Sequence, residues 1–330
     1  MTQICIDAFK NLNIVKHNNQ LSLSPCCLSL PRTADKIEFY DNQYLKQIRE
    51  EWRQGHFPTE CANCQTAEKL TGFSRRTHSN LWYQDHGYYN NTVEMIRLDY
   101  WTGDQCNLAC AICGPYSSST WKQELKLEIS LQKSVINQFW KTLDLTQLKF
   151  VHFNGGEPLL SKEHVIFLQA IPNKKQVQLN YNTNATILPT AQLVELWNQF
   201  NLVKLDFSID DIGPRFNYQR YPADWNQVTD NLQWFLNQGP HNCMLAVNTT
   251  VSVLNYYTIA ELDQWLNQNF YVSQFTDPIE HRRQPVFGIL SMDNINNPYK
   301  IQEYLDSLDS RRGTDWKSTF PELKSILLKP

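Results

Sequence analysis

Cys106–Cys113 reads CNLACAIC and carries three cysteines at the spacing C-x3-C-x2-C. Zinc in proteins usually takes four ligands, and disulfide frameworks use an even number of cysteines. Three neighbouring thiolates suit an iron–sulfur cluster of four irons, in which the iron without a cysteine stays open to another ligand. Two other interpretations stay open at this point: buried structural cysteines, and a zinc ion with a distant fourth ligand.

The composition indicates a globular chain that works inside the cell. Of its 330 residues, 42% are hydrophobic and 19% are charged, and the formal net charge is only −3. The N-terminal residues show no basic stretch followed by an apolar one, and no apolar run approaches the ~20 residues of a membrane-spanning helix. We therefore expect a cytoplasmic protein without a nucleic-acid or membrane partner. Disulfides are rare in that compartment, so nine cysteines predict metal or redox chemistry.

The cysteines separate a small N-terminal unit from a larger domain. Five of them precede residue 65, namely Cys5, Cys26, Cys27, Cys61 and Cys64. Two short alternating runs, LNIVK and LSLS, flank the polar residues HNN and predict a hairpin. A helix is predicted after them, with Asp41 as its N-cap and Gly55 at its end.

From about residue 92 the pattern changes to short buried strands that alternate with helices. The strand candidates are EMIRLDYW, KFVHFNG, VQLNYNTN, VKLDFSID, MLAVNTTVSV and QPVFGIL. Helical patterns lie between most of them, including SSTWKQELKLEI and SVINQFWKTLDL. Such β-α repetition predicts a parallel α/β fold, either open or barrel-like, with about six units. Because sites in parallel sheets lie at the carboxyl ends of the strands, chemistry is expected there.

The second motif, FNGGEPLL, follows the second strand and contains Gly155, Gly156, Glu157 and Pro158. Two glycines let the backbone come close to a ligand, and a carboxylate beside them can accept hydrogen bonds from an ammonium group. By itself this segment would be an ordinary turn. It gains meaning because it lies one β-α unit after the cysteine triplet.

The two motifs together resemble the radical S-adenosylmethionine (SAM) superfamily. Its members carry CxxxCxxC after the first strand and a GGEP-type motif after the second, on a partial (β/α)6 barrel. The resemblance spans roughly residues 93–290 and implies that Cys106, Cys110 and Cys113 hold a [4Fe–4S] cluster. It further implies that the open iron binds SAM, that residues 155–158 contact the methionine amine of SAM, and that a 5′-deoxyadenosyl radical abstracts hydrogen from a substrate.

Weaker motifs follow in the order that this resemblance implies. In YNTNAT, Thr183 and Asn184 resemble the TNG-type end of the third strand, with Ala185 in place of glycine. Ser208 and Asp210 of LDFSIDDIG resemble the segment that meets the SAM ribose. The end of the fifth strand adds the further candidates Asn248, Thr250 and Asn255. Each of these segments is an ordinary strand end when taken alone.

The N-terminal cysteines resemble those of the SPASM and twitch domains, which bind auxiliary iron–sulfur clusters. The resemblance implies a second, auxiliary [4Fe–4S] cluster on the four ligands Cys5, Cys26, Cys61 and Cys64. These modules usually follow the barrel, whereas here the module precedes it. Structural zinc is the alternative. Cys26 is preferred to Cys27 because it follows Pro25 as in the family pattern, and Cys243 is expected in the core.

We expect three parts: an auxiliary-cluster domain over residues 1–90, the barrel over 91–295, and a tail of one or two closing helices over 296–330. Candidates for action on the substrate lie in three polar segments. The first choices are Tyr218, Arg220 and Glu280. The others are Arg75, Arg76, His78, Arg215, Tyr221, His281, Arg282 and Arg283. Arginine suits a peptide or carboxylate ligand, although these residues equally fit a solvated rim.

Enzymes with twitch and SPASM domains mostly modify peptides, so the resemblance implies a peptide maturase. Crosslinking, epimerisation and backbone excision, such as tyramine removal by spliceases, all belong to that group. The expected partners are a precursor peptide, a small protein that delivers it, and an electron donor such as flavodoxin or ferredoxin. The alternatives are a radical SAM enzyme acting on a small molecule or nucleotide, and a metal-binding protein without turnover.

Overall fold

The computed structural model of the chain describes residues 4–17, 20–127, 139–270, 280–285 and 289–328. This part of the chain forms one sheet. Its strands are β1 (Asn11–His17), β2 (Gln20–Ser24), β3 (Arg32–Thr33), β4 (Arg97–Trp101), β5 (Phe150–Asn154), β6 (Gln178–Thr183), β7 (Leu202–Ser208), β8 (Cys243–Val251) and β9 (Glu280–Pro285). Their order is β3-β2-β1-β4-β5-β6-β7-β8-β9; β1 and β4 to β9 pair in parallel, and β2 pairs antiparallel with both β1 and β3. The predicted α/β fold with an open, partial barrel is confirmed.

The N-terminal unit adds helices to the hairpin. They are α1 (Asp7–Lys10), α2 (Gln43–Arg53), α3 (Ala62–Thr71) and α4 (Arg75–Asp85), of which only α2 was predicted. The hairpin prediction is confirmed by the antiparallel pairing of β1 with β2. The N-cap prediction is wrong by one residue, because Asn42 and not Asp41 accepts a hydrogen bond from the amide of Leu45. Since β1 also pairs in parallel with β4, the N-terminal unit extends the sheet of the barrel.

The helices of the barrel follow the strands in turn. They are α5 (Ser119–Glu124), α6 (Lys162–Ala170), α7 (Ala191–Trp197), α8 (Gly213–Gln219), α9 (Trp225–Gln238) and α10 (Ile259–Asn269). Side chains of Ser118, Ser161, Thr190 and Asp224 accept hydrogen bonds from first-turn amides, which fixes where four of these helices begin. Helix α8 was not predicted.

Several predicted elements differ from the structure at their boundaries; the helix predicted as SSTWKQELKLEI, for example, ends at Glu124, and the strand predicted as EMIRLDYW begins at Arg97. The helix predicted over residues 134–145 is described only from residue 139, where a short 3₁₀ helix, Phe139–Thr142, is found. The strand predicted as QPVFGIL is displaced, because β9 begins at Glu280 and ends at Pro285. Residues 286–288 of that prediction lie outside the described residues.

Alternate strand residues point to opposite faces, and one face is apolar. Its residues pack with the helices in the main core, where the ring centroids of Phe153 and Tyr181 lie 4.7 Å apart and those of Tyr181 and Trp197 lie 5.2 Å apart. Burying one aromatic side chain of this kind contributes up to about 3 kcal/mol, so this face fixes the strand order and register. Cys243 is half-buried against the same core, as expected for a residue at the start of β8.

The opposite face of the sheet carries polar side chains that bond to one another. Arg97 Nε donates to Asp99 Oδ1 at 2.9 Å, and Asn182 Nδ2 donates to Asn154 Oδ1 at 2.5 Å. His152 stands between these pairs, with Nδ1 3.6 Å from Asp99 Oδ1. A face of this polarity is suited to a polar ligand rather than to another apolar layer.

The C-terminal part contains more helices than expected. They are α11 (Pro298–Arg312), α12 (Trp316–Thr319) and α13 (Pro321–Leu327), against a prediction of one or two. Gly313, at φ +66°, ends α11, and Asp315 caps α12, so the segment breaks where one helix was predicted to continue. A second apolar cluster joins these helices to Ala109 and Ala111 in the cysteine loop. Neither these helices nor any other that the structure describes has the length and apolar character needed to cross a membrane.

Candidate functional site

The cysteine triplet lies in the loop between β4 and α5, at the carboxyl end of the first strand of the barrel. Cys110 is buried, and the other two cysteines are partly exposed. The hydroxyl groups around the start of α5 hold the loop. Ser118 Oγ donates to Leu108 O at 2.5 Å, and Thr120 Oγ1 donates to Cys106 O at 2.7 Å. The run SSST therefore shapes the loop as well as starting the helix.

The loop is also bonded to the last residue of α8 and to the segment that follows it. The amide of Ala109 donates to Tyr221 O at 2.6 Å, and the amide of Ala111 donates to Gln219 O at 2.7 Å. These backbone bonds are independent of side-chain identity. They fix the cysteine loop against the segment that carries Arg220.

Helix α11 holds the rear of the loop. Tyr304 Oη donates to Ala111 O and Arg312 Nη2 donates to Ala109 O, each at 2.7 Å. Arg312 Nε also donates to Glu124 Oε2 at 3.0 Å, which ties α11 to α5. Sequence reasoning missed both donors, because they lie 193 and 203 residues along the chain from the carbonyl groups that they bind.

The GGE segment after β5 lies directly on the chain that leads to the triplet. The amide of Gly156 donates to Gly103 O and the amide of Glu157 donates to Gln105 O, each at 2.8 Å. A Cβ on Gly156 would stand 2.3 Å from Gln105 O, and one on Gly155, at φ +132°, would stand 2.7 Å from Gly103 O. The close approach that glycine permits here is to the backbone before the cysteines. Contact of this segment with a ligand stays a prediction.

Groups of the chain itself surround the buried carboxylate of Glu157. Its Oε1 accepts from Thr183 Oγ1 at 2.9 Å and from the Leu159 amide at 3.1 Å, and its Oε2 accepts from the Asn184 amide at 2.8 Å. Burial raises the pKa of Glu157 to about 7, and these three hydrogen bonds oppose the rise. Pro158 begins the short 3₁₀ helix that follows. Thr183 and Asn184 thus position Glu157 and connect the ends of β5 and β6.

Side chains link the end of β6 to the cysteine loop. Asn184 Nδ2 donates to Asn107 Oδ1 at 3.0 Å, and Asn107 Nδ2 donates to Thr186 Oγ1 at 2.8 Å. Ala185 has φ +62°, in the left-handed region that favours glycine. The backbone therefore keeps the conformation of a TNG-type turn although alanine occupies it. Asn107 was missed, although a polar side chain inside CNLACAIC was a visible signal.

Asp210 and Arg220 were predicted to have separate roles, but they bind each other. Arg220 Nε and Nη2 each lie 2.8 Å from Asp210 Oδ2. Asp210 Oδ1 accepts from the Thr250 amide at 2.8 Å, and its backbone carbonyl accepts from Asn255 Nδ2 at 2.8 Å. Burial raises the pKa of Cys110 to about 12, and the positive charge of Arg220 opposes that rise. The ion pair therefore lies beside the triplet.

The ends of β7 and β8 carry a buried polar atom, Asn248 Oδ1, that no described residue bonds. Ser208 lies opposite Asn248 in the parallel register of these strands. Asn248 Oδ1 is buried and has no hydrogen-bond partner among the described residues. A buried acceptor of this kind costs about 1–3 kcal/mol when it is left unbonded, so this edge is suited to a ligand that donates a hydrogen bond. The ribose hydroxyls of SAM are such donors.

Among the remaining substrate candidates, the described side chains of Tyr218, Tyr221 and His78 make their contacts elsewhere. Tyr218 is 5% exposed and packs edge-on against Phe320 at 5.2 Å, in the apolar cluster of the C-terminal helices. Packing accounts for its position, and its predicted catalytic role finds no support in these contacts. His78 is exposed, and the ring of Tyr221 lies against the guanidinium of Arg312 at 4.9 Å. Side chains outside the described residues include those of Glu280, His281, Arg282 and Arg283.

The predicted ligands of the auxiliary cluster line one small cavity in the N-terminal unit. They are Cys5, Cys26, Cys61 and Cys64, and all four are buried. Cys5 precedes α1 and Cys26 follows β2, while the CxxC pair lies at the start of α3. Cys27 is exposed and does not line the cavity. Segments that are far apart in sequence thus bring four thiols to the same place.

The wall of this cavity also carries polar atoms that are buried without a hydrogen-bond partner among the described residues. They are both carboxylate oxygens of Asp7, Ser29 Oγ, Trp52 Nε1, and Nε and Nη2 of Arg75. Unbonded buried groups are rare in proteins, and several around one cavity indicate a bound group that hydrogen-bonds to them. Sulfur atoms of a cluster are acceptors, and they suit the donors of this set: Ser29 Oγ, Trp52 Nε1 and the two Arg75 nitrogens.

In the described part of the chain, no three His, Cys, Asp or Glu side chains converge closely enough to share a single metal ion. An iron–sulfur cluster makes a different demand, because each cysteine binds its own iron. The triplet and the N-terminal cysteines therefore fit clusters without meeting at one point.

Comparison with known proteins shows which family the sequence matches. The sequence model of the Radical SAM superfamily matches residues 102–268, half of the chain. A GTP 3',8-cyclase of Synechocystis sp. is 26% identical over 152 residues, which cover 46% of this chain and 44% of that protein. A GTP 3',8-cyclase of Listeria welshimeri is 29% identical over 134 residues, which cover 39% of this chain and 38% of that protein. The chain spans less than half the length of these relatives.

Among solved structures, native anSMEcpe with bound AdoMet is similar to this chain with a TM-score of 0.43 and 14% identity, covering 66% of this chain and 62% of that chain. The family match is the more informative finding. It includes the triplet, the GGE segment, the buried Glu157 and the Asp210–Arg220 pair. Because it spans half of the chain and contains the groups that meet at the strand ends, the chain belongs to the radical SAM superfamily.

Proposed function

We propose that this radical SAM enzyme modifies a peptide and carries an auxiliary [4Fe–4S] cluster in its N-terminal cavity. The observation that carries the proposal is the meeting of four buried cysteines in that cavity. Four thiolates satisfy all four irons, so this cluster would have no open iron for a substrate and would serve electron transfer or structure. The SPASM and twitch modules that these cysteines resemble accompany mostly peptide-modifying enzymes.

The catalytic cluster of the family fits the triplet. Cys106, Cys110 and Cys113 would supply three thiolates and leave one iron for SAM. When bound, the cluster and SAM supply one-electron reduction and hydrogen abstraction, which are chemistry of the cofactors and not of the protein. The chain supplies binding, orientation and charge.

Each of the polar groups around the triplet has a separate part in that task. Glu157, fixed by Thr183 and Asn184, holds the GGE backbone against the cysteine loop. Arg220 places a positive charge beside the thiolates and so stabilises the anionic ligand set. Asn248 Oδ1 offers an acceptor to a hydroxyl of SAM.

The charges of the barrel support a substrate with little negative charge. The described cations near the site are paired with carboxylates, namely Arg220 with Asp210, Arg215 with Asp211 and Glu261, Lys122 with Asp104, and Arg97 with Asp99. A nucleoside triphosphate carries several negative charges and is bound by cations that are not already neutralised. An uncharged peptide segment makes no such demand and can bond to the polar face of the sheet.

A second candidate is a radical SAM enzyme that acts on a small molecule or a nucleotide. It is favoured by the GTP 3',8-cyclases among the relatives. A peptide needs a long open groove, whereas a small molecule needs a closed pocket. GTP is therefore the substrate whose turnover would distinguish the second candidate from a peptide-modifying enzyme.

The test is anaerobic incubation of the reconstituted enzyme with SAM and dithionite, with mass spectrometry of 5′-deoxyadenosine and of the substrate. GTP and short peptides encoded beside the gene are added in separate reactions. A peptide-dependent rise in 5′-deoxyadenosine, together with a mass change of the peptide, supports the proposal. Turnover that depends on GTP and not on any peptide replaces it with the second candidate.

Metal analysis tests the auxiliary cluster separately. With two clusters, we expect about eight irons per chain, falling to about four when Cys106, Cys110 and Cys113 are replaced by alanine. About four irons falling to none, with zinc bound, would leave the catalytic site and turn the N-terminal cavity into a zinc site.

We also propose that a small protein delivers the precursor peptide and that flavodoxin or ferredoxin supplies the electron. Turnover of the full precursor is expected to rise when the delivering protein is added. Equal turnover with and without any candidate partner would contradict the first of these proposals.

A further inference from the structure

Arg75 lies at the wall of the cysteine cavity, and no residue that the structure describes bonds its Nε or Nη2. Its Nε lies 3.6 Å from Asp7 Oδ2 and its Nη2 lies 3.8 Å from Asp99 Oδ2, and both distances exceed those of hydrogen bonds. Both nitrogens are buried and have no hydrogen-bond partner in the part of the chain that the structure describes. A buried guanidinium in this state is unfavourable unless another group accepts its hydrogen bonds.

Negative charge gathers at the same cavity. Asp7 is fully buried with both carboxylate oxygens unbonded among the described residues, and ligand thiolates add their own charge. Arg76, the other arginine at the cavity, is bound to Glu68 at 2.5 Å. Arg75 therefore differs from Arg76 in that two of its buried nitrogens are bonded by no residue that the structure describes.

We propose that Arg75 is a positioning residue that sets the reduction potential of the auxiliary cluster, by directing N–H groups and positive charge toward the cluster and its cysteines. This inference rests on the auxiliary cluster proposed above. One-electron reduction adds one negative charge to a cluster, and a nearby buried cation stabilises the reduced form more than the oxidised form. Arg75 makes the cluster easier to reduce, and Asp7 makes it harder.

The experiment measures the midpoint potential of the auxiliary cluster alone. Alanine at Cys106, Cys110 and Cys113 removes the catalytic ligands, so that any remaining cluster belongs to the N-terminal cavity. The reconstituted chain is titrated stepwise with dithionite under anaerobic conditions. Each cluster that is reduced accepts one electron from dithionite. Electron paramagnetic resonance measures the fraction of reduced clusters after each addition.

Variants of the cavity wall are compared in that background. Arg75→Gln is expected to shift the potential to more negative values, and Arg75→Lys, which keeps the charge, is expected to shift it less. Asp7→Asn is expected to shift it to more positive values. Arg53→Gln is the control, because Arg53 is half exposed, lies 3.8 Å from Glu50, and is screened by water and salt. It is expected to leave the potential unchanged.

Midpoint potentials that shift in opposite directions in Arg75→Gln and Asp7→Asn support the inference. A general loosening of the fold would shift the potentials of both variants in the same direction. An unchanged potential in Arg75→Gln, with its iron retained, overturns the inference and leaves the auxiliary cluster in place. If Arg75→Gln loses its iron, an unchanged potential in Asp7→Asn overturns the inference instead. A background that binds zinc or no metal overturns the proposed cluster and the role of Arg75 together.

Discussion

Replacing Gly156 by alanine is the sharpest perturbation of the candidate site, because it pushes the GGE segment away from the cysteine loop. The new Cβ would stand 2.3 Å from Gln105 O and 2.9 Å from Asp104 C, and both are backbone atoms that cannot rotate away. Ordinary contacts of a Cβ begin at 3.4 Å. The two segments would therefore have to part by roughly 1 Å.

That displacement breaks the backbone hydrogen bonds between the segments. The two bonds measure 2.8 Å and would lengthen to about 3.8 Å, beyond the range of an N–H···O bond. Losing them costs about 1–3 kcal/mol, and the residual overlap costs about 1–3 kcal/mol more. We expect the free energy of unfolding to fall by about 2–6 kcal/mol, a large part of the total for a typical domain. The cysteine loop is expected to lose iron with it.

Urea denaturation followed by tryptophan fluorescence measures the loss of stability, and iron content after reconstitution measures retention of the cluster. Gly114→Ala is the matched control, because Gly114 lies in the cysteine loop that the GGE segment contacts and its new Cβ would meet no atom within 4 Å. It is expected to change the free energy of unfolding by less than about 0.5 kcal/mol. If Gly156→Ala unfolds at the same urea concentration as Gly114→Ala and keeps its iron, the close contact is not a constraint and the reasoning is wrong.

Ala185→Gly is expected to change the free energy of unfolding by less than about 1 kcal/mol, because glycine removes the backbone strain at φ +62° but also removes a buried methyl group. A larger loss of stability, measured by urea denaturation, would contradict this. Arg220→Met is expected to destabilise by about 3–5 kcal/mol by leaving Asp210 unpaired, and adding Asp210→Asn should restore part of the loss. Burial raises the pKa of Glu157 to about 7, so the contribution of this group to the free energy of unfolding is lost as pH rises from 4.5 to 7. Burial lowers the pKa of His164 to about 4, so the contribution of His164 is lost as pH falls from 6.5 to 4. In the metal-free protein these two contributions oppose each other between pH 4.5 and 6.5, so the stability of Glu157→Gln should rise with pH by about 3 kcal/mol relative to wild type. Parallel urea profiles of the two proteins would refute the assignment to Glu157, and a flat Glu157→Gln profile would refute that to His164.

The parts of the site that sequence could predict depend on spacing and alternation. The triplet and the GGE segment follow successive buried strands, and parallel strands bring their carboxyl ends to one edge. The hairpin of the N-terminal unit follows from alternating runs on either side of HNN. In each case the signal lies within about twenty residues, where the backbone itself transmits the constraint.

The parts that sequence could not predict depend on which side chains meet. Asp210 and Arg220 were given separate roles because residue type shows what a group can bind, not which partner it has. Tyr218 lies two residues before Arg220, and residues at that spacing in a helix do not share a face, so its ring turns to the C-terminal helices. Asp7 and Arg75 gave no signal beside the cysteines, because the packing of α1 against α4 brings them together.

The bonds from α11 to the rear of the cysteine loop have a consequence for how the protein is made. Nearly two hundred residues separate Ala111 from Tyr304, and at roughly 5–20 residues per second the ribosome needs roughly 10–40 s to synthesise them. During that interval the nascent loop has its cysteines but not the helix that supports it. Metal insertion is therefore expected to follow translation, and a stalled nascent chain that ends before Pro298 is expected to take up less iron at the triplet than the released chain. Maturation would then proceed from barrel to C-terminal helices to metal.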